Sequence, residues 1–223
     1  MKMSFLKIIA LAALLCGATS AFAQEDWARN GRYAEANAQI TKTPKAVLLG
    51  DSITDSWYDF DPAFFSDNNF AGRGISGQTT SQILVRMRED VVNLHPKYVV
   101  ILAGINDIAH NPGHAIDVPK AVGSIKSMCE VARANGIKPI VCSLLATTYI
   151  PWRAEVGDVS DEVAEFNSLL REYARKNRIK YVDYHSLLAG EDGKICPEYA
   201  ADNVHPTLEG YKLMENLLLG YIK

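Results

Sequence analysis

Residues Lys97 to Ala103 read KYVVILA. An unbroken apolar run this short, rich in β-branched residues and closed by Gly104, predicts a strand buried on both faces. Upstream, Thr79 or Thr80 opens a helix with the stripe Leu84, Met87, Val91 and Leu94, which His95-Pro96 ends. Downstream, Asp117 caps a helix with the stripe Val118, Val122, Ile125, Cys129 and Ala132, and Asn135-Gly136 stops it. Ile137 to Leu145 is the next strand. A buried strand with an amphipathic helix on either side in sequence is the unit of a parallel sheet.

The same alternation extends outward. Lys45 to Gly50 (KAVLLG) is a short apolar strand, Phe70 to Ile75 a weaker one, and Lys180 to Tyr184 the last. Ser160 opens a helix with the stripe Val163, Phe166, Leu170 and Tyr173. Its first turn holds Asp161 and Glu162 and its end Arg175, Lys176 and Arg178, which suits the helix dipole. Pro206 opens a final helix through Leu208, Tyr211 and Leu218. Asp26 to Ile40 reads as a helix broken by Thr43-Pro44, and Asp51 to Asn69 as an aromatic-rich loop. The expectation is an α/β domain with a mostly parallel sheet covered on both faces.

The 223 residues carry a net charge of −3 with no long basic or acidic run, which speaks against nucleic acid or an anionic membrane surface as partner. Residues 1–23 read as a signal peptide: Lys2 and Lys7, an apolar run from Ile8 to Leu15, then Ala21-Phe22-Ala23 as cleavage site. That run is too short to span a bilayer, so no integral membrane association is expected after cleavage. The mature chain, 24–223, is expected to be exported to the periplasm or beyond as one domain, with 24–44 a helical extension packed on it. Cys129, Cys142 and Cys196 remain, an odd set with no zinc-like spacing; the first two fall in an apolar helix stripe and an apolar strand and read as core residues.

In an open parallel sheet, ligands bind beyond the carboxyl ends of the strands. Four polar clusters fall after strands: Gly50-Asp51-Ser52-Ile53-Thr54, Gly74-Ile75-Ser76-Gly77-Gln78-Thr79-Thr80, Gly104-Ile105-Asn106-Asp107 and Asp202-Asn203-Val204-His205-Pro206. Acyl transfer needs a hydroxyl, a base oriented by a carboxylate, and donors for an oxyanion. Ser52 is placed at a strand-to-turn junction that exposes its oxygen. Asp202 and His205 are three apart, so one turn of chain brings carboxylate and imidazole together. Gly77 lets its backbone N–H approach a ligand, and Asn106 supplies a side-chain amide. Thr54 stands where the elbow of the common α/β hydrolases needs a second glycine.

These blocks, in this order, resemble those of the SGNH superfamily of GDSL-type lipases and acylhydrolases, and their spread from Gly50 to Pro206 covers most of the chain. The resemblance implies a flavodoxin-like three-layer α/β/α sandwich around five parallel strands. It implies Ser52 as nucleophile with Asp202 and His205 as triad partners. It also implies an oxyanion hole from the Ser52 and Gly77 N–H groups and the Asn106 side chain. No metal or organic cofactor is implied. The expected activity is hydrolysis of carboxylic esters, with short acyl groups on a carbohydrate as the expected substrate; a lysophospholipase or thioesterase, a transacylase and a non-catalytic glycan-binding relative are the competing readings.

Candidate substrate contacts are Asp51, Trp57, Tyr149 and Trp152, the aromatics being of the kind that stack on a sugar face. The alternative for Asp51, and for Asp107, is backbone hydrogen bonding in a tight turn. His110 and His114 follow Asn106 and are candidates for the pocket wall; Asn111-Pro112-Gly113 between them forbids the helix a metal pair would need.

Overall fold

A computed structural model describes residues 26–111, 116–200 and 202–223. The leader, residue 24 and His114 lie outside the described residues.

Five strands form one sheet: β1 (Ala46–Gly50), β2 (Phe70–Gly74), β3 (Tyr98–Leu102), β4 (Lys138–Cys142) and β5 (Lys180–Val182), in the order β2-β1-β3-β4-β5. Every pairing is parallel. All residues of β1, β2 and β3 are buried, as a sheet sandwiched between helices requires. One group of helices packs together on one face: α2 (Ser52–Phe60), α3 (Pro62–Asn68), α9 (Tyr184–Leu188) and α10 (Leu208–Leu219). The other face carries α4 (Thr80–Val85), α6 (Ile105–Ile108), α7 (Val118–Ala134) and α8 (Ser160–Asn177). Two short helices complete the set, α1 (Ala34–Ala38) and α5 (Met87–Asp90). The three-layer sandwich is therefore the architecture.

The register places the site. Gly50 pairs with Gly74 on one side and Leu102 on the other, so β1, β2 and β3 end level. Strand order reverses between β1 and β3, where a crevice forms at the carboxyl edge.

Some boundaries depart from the sequence reading. The stretch Asp51–Asn69 is α2 and α3, not a loop. Asp51 accepts from Ile53 N at 3.1 Å and Asp61 from Phe64 N at 3.1 Å, so each acid caps a helix, and Pro62 fits the first turn of the second. The aromatics there build core: Trp57 stacks on Phe64 at 5.5 Å and on Tyr211 at 5.3 Å. The helix expected from Thr79 to Leu94 is interrupted at Arg86, whose buried guanidinium reaches the carbonyls of Gly50 and Arg73 and the carboxylate of Asp90. The N-terminal helix is only Ala34–Ala38, because Arg29 takes a left-handed backbone (φ 49°) that no helix continues. The last helix is capped by Thr207, whose hydroxyl accepts from Gly210 N at 3.2 Å; Pro206 precedes it and bridges to Ala200. Cys129, Cys142 and Cys196 are unpaired, and burial pushes the Cys129 thiol up to about 12.

Candidate active site

Ser52 is the first residue of α2, directly past β1. Only glycine fits before it: a Cβ on Gly50 would lie 2.2 Å from Thr54 Oγ1 and 2.4 Å from the Leu102 carbonyl. The half-buried Ser52 hydroxyl lies 2.9 Å from His205 Nε2. His205 Nδ1 lies 2.8 Å from Asp202 Oδ2. A carboxylate can only accept, so Nδ1 carries the proton and Nε2 is free to take one from Ser52.

Asp202 and His205 lie in the connection between α9 and α10. Asp202 Oδ1 accepts from the backbone N–H of Val204 at 3.1 Å and of His205 at 2.7 Å, so one carboxylate shapes the turn with one oxygen and orients the imidazole with the other. Burial pulls the Asp202 carboxyl upward, but the bonds from His205 outweigh it and hold the group below its ordinary range. Asn203 sits between them with φ 68° and donates to the Tyr149 carbonyl at 2.7 Å. The Trp152 ring lies 5.4 Å from that of His205.

On the opposite wall, Gly77 has φ 81°, a backbone that favours glycine. Asn106, 1% exposed, sits in the first turn of α6. Its amide donates to the Gln78 carbonyl at 3.0 Å, which commits one of two N–H bonds. Its oxygen accepts from Asn111 Nδ2 at 2.9 Å, and the same Asn111 nitrogen lies 2.9 Å from the Gly77 carbonyl. One amide thus ties Gly77 to Asn106. Beneath them Asp107 is buried and accepts from Thr80 N and Thr80 Oγ1, both at 2.9 Å. Burial pushes Asp107 up to about 6 and Asp51 to about 7.

Ser52, Gly77, Asn106, Trp152 and His205 line one cleft of about 700 Å³. A second cleft of about 600 Å³ runs between the N-terminal segment and β2 and includes none of these five residues.

Three candidate contacts need correction. Trp57 is not in the cleft; it is 1% exposed and donates to Glu215 Oε1 at 3.0 Å, held there by the aromatic core. Asp51 is a buried helix cap and does not face substrate. The Tyr149 side chain does not line the cleft; the residue acts through its carbonyl, on Asn203. His110 also stays out, its carbonyl accepting from Arg153. Trp152 does line the cleft.

Sequence reading missed Asn111, Gln82, Arg29 and Arg153 as cleft residues. Asn111 and Gln82 lie within a few residues of quoted blocks, but no spacing rule points at them. Arg153 follows the predicted contact Trp152 in the same loop, whereas Arg29 carries no sequence signal, because it arrives from a segment well before the first block. Among the described residues, no group of three or more His, Cys, Asp or Glu is clustered for a metal ion, and no helix is long and apolar enough to cross a membrane.

The chain resembles solved structures across most of its length. A candidate acylhydrolase from Bacteroides fragilis is 44% identical, with a TM-score of 0.84 over 89% of this chain and 98% of that one. A GDSL-like lipase from Bacteroides thetaiotaomicron is 43% identical, with a TM-score of 0.82 over 87% and 97%. An acetyl-xylooligosaccharide esterase from Geobacillus shares the fold at 18% identity, with a TM-score of 0.63 over 80% and 94%. The search of curated proteins gave no match. The model of the GDSL-like lipase/acylhydrolase family matches residues 48–213, a span holding all four polar blocks, the end of β1 and all of β2 to β5, and the chain belongs to that family.

Proposed function

We propose that the chain is an exported serine esterase that removes short acyl groups, acetyl above all, from a carbohydrate. The observation that carries the catalytic reading is the continuous relay from Ser52 Oγ through His205 to Asp202, at 2.9 and 2.8 Å. In this reading His205 takes the Ser52 proton as the oxygen attacks the ester carbonyl. Charge develops on the carbonyl oxygen, and the N–H groups of Ser52 and Gly77 with the second N–H of Asn106 meet it. His205 then protonates the departing alcohol, and water releases the acid by the same steps in reverse. Asp202 stays ionised throughout, as its lowered pKa favours.

The cleft supports a short acyl group. Among the described residues its lining is mainly Ser, Gln, Asn and Arg, with Trp152 the one large apolar side chain and no aliphatic one. An aliphatic groove rewards each added methylene by up to ~0.8 kcal/mol, and this lining has none to offer. The fold is shared with an acetyl xylan esterase and an acetyl-xylooligosaccharide esterase, which is consistent with acetylated glycans as substrates. Residues 1–23 read as a leader, which suits an extracytoplasmic glycan.

The test is a series of p-nitrophenyl esters from acetate to dodecanoate. Wild type should peak at acetate and fall steeply. Ser52→Ala should abolish turnover while leaving the melting curve intact. A rise toward the long chains would favour a lipid enzyme, and retained turnover in Ser52→Ala would remove Ser52 as nucleophile.

A further inference from the structure

The family model begins at residue 48, yet the cleft around Ser52 includes a residue well before it, Arg29. The segment that carries Arg29 is fastened to the site itself. Gln78, next to Gly77, donates from its side chain to the Ala28 carbonyl at 2.6 Å. Gln82 donates to the Trp27 carbonyl at 2.6 Å. The Tyr33 hydroxyl donates to the Gly74 carbonyl at the end of β2. Ala28 is buried between these anchors. Asp26 Oδ2 accepts from Gly31 N at 3.1 Å and closes the turn locally.

Within this turn Arg29 holds φ 49°. A left-handed backbone costs a non-glycine residue about 1 kcal/mol and persists only where the surroundings impose it. The anchors impose it, and the result sets the Arg29 side chain at the rim of the cleft, where no hydrogen bond or ion pair engages its guanidinium among the described residues. Arg153 also lines the cleft; it is engaged by Glu155 at 2.7 Å and by the His110 carbonyl. Among the described residues, no Asp or Glu lines the cleft. The charged groups of its described lining are the two arginines and, when protonated, His205.

We propose that this cleft selects esters whose alcohol part bears a carboxylate, and that Arg29 is the residue that reads it. The inference rests on the serine-esterase reading above and narrows its substrate to acylated acidic sugars. A guanidinium presents a planar fork that matches a carboxylate, and an unengaged one at a rim gives up little to bind it.

The experiment compares kcat/KM on an acetylated hexuronate glycoside and the matching acetylated neutral hexose, with p-nitrophenyl acetate as reference ester. Wild type should prefer the hexuronate by roughly three- to tenfold, the scale of one partly exposed charge pair. Arg29→Gln should bring the acidic-to-neutral ratio close to one, mainly by raising KM for the hexuronate, and Arg29→Lys should keep part of the preference. About 1 M salt should also flatten the wild-type ratio. A wild-type ratio near one, or a preference that Arg29→Gln leaves intact, overturns the assignment while esterase activity on p-nitrophenyl acetate still stands. Absence of any p-nitrophenyl acetate turnover overturns the esterase reading and this inference with it.

Discussion

Ser52, Gly77 and Asn106 stand just past the ends of three adjacent parallel strands, whereas Asp202 and His205 stand on a connection between two helices. The first set inherits its alignment from the sheet register, since Gly50, Gly74 and Leu102 are paired across β1, β2 and β3. Its members are tied by buried bonds: Arg86 to the Gly50 carbonyl, Asn106 to Gln78, Asp107 to Thr80. The second set is more open, the side chains of His205 and Asp202 being 28% and 38% exposed. It is held chiefly by Asp202 itself and by Asn203 on Tyr149. The wall that must stabilise charge rests on buried supports, Asn106 and Asp107 each being 1% exposed, although Gly77 itself is exposed, and buried donors are worth most. The wall that must take and return a proton keeps contact with water and a looser mount.

From that contrast it follows that damage to the Asn106 wall shows in the chemical step. Asn106→Ala should lower kcat on p-nitrophenyl acetate by roughly 10²–10³, about 2.7–4 kcal/mol, with KM moving less. A loss below about threefold would return Asn106 to the role of turn former. Asn111→Ala tests whether the donors are held as well as present. It should cost kcat roughly tenfold, ~1.4 kcal/mol, with KM nearly unchanged, because it loosens Gly77 and Asn106 without removing either. A wild-type kcat in that variant would mean the buried wall needs no such tie.

A separate effect concerns Asp107, and it is read in stability instead of turnover. Burial raises this carboxyl from 3.8 to about 6 in the folded chain, while the unfolded chain keeps the lower value. Between those values the folded state binds more protons, so stability falls as pH rises from about 4 to about 6. Asp107→Asn removes this contribution. The decline in ΔG of unfolding across that window should shrink by on the order of 2 kcal/mol, measured by urea titration at each pH. An unchanged slope would show that Thr80 and its surroundings leave the carboxylate ionised at no cost.

Much of this was legible in the chain. KYVVILA and KAVLLG announce buried strands because strands covered on both faces lose the polar alternation, and these two became the centre of the sheet. The blocks around Ser52, Gly77, Asn106 and Asp202 to His205 are short and local, so they could be read as they stand. What was not legible depended on what another element does. Trp57 looks like a loop aromatic until Asp51 and Asp61 are seen as caps and Tyr211 arrives from the far end of the chain to stack on it. Asn111 has no periodic relation to Asn106, and the two meet because α6 is a single turn after which His110 takes a left-handed backbone (φ 50°). The break at Arg86 follows no helix-breaking residue; it coincides with a guanidinium drawn under the ends of β1 and β2.

The sheet has two open margins, and the chain treats them differently. β5 spans only Lys180–Val182 and begins with an exposed lysine, a poor template for another strand. β2 is five residues long and fully buried, because the N-terminal segment lies along it: Tyr33 bonds the Gly74 carbonyl, and Asn37 Oδ1 accepts from Arg73 Nε at 2.8 Å. Stripped of that segment, β2 would offer unpaired backbone groups to any passing chain, the geometry from which edge-to-edge aggregates grow. A chain begun at Lys45 would keep every residue of the Ser52 relay yet should self-associate, a result that size-exclusion chromatography would show.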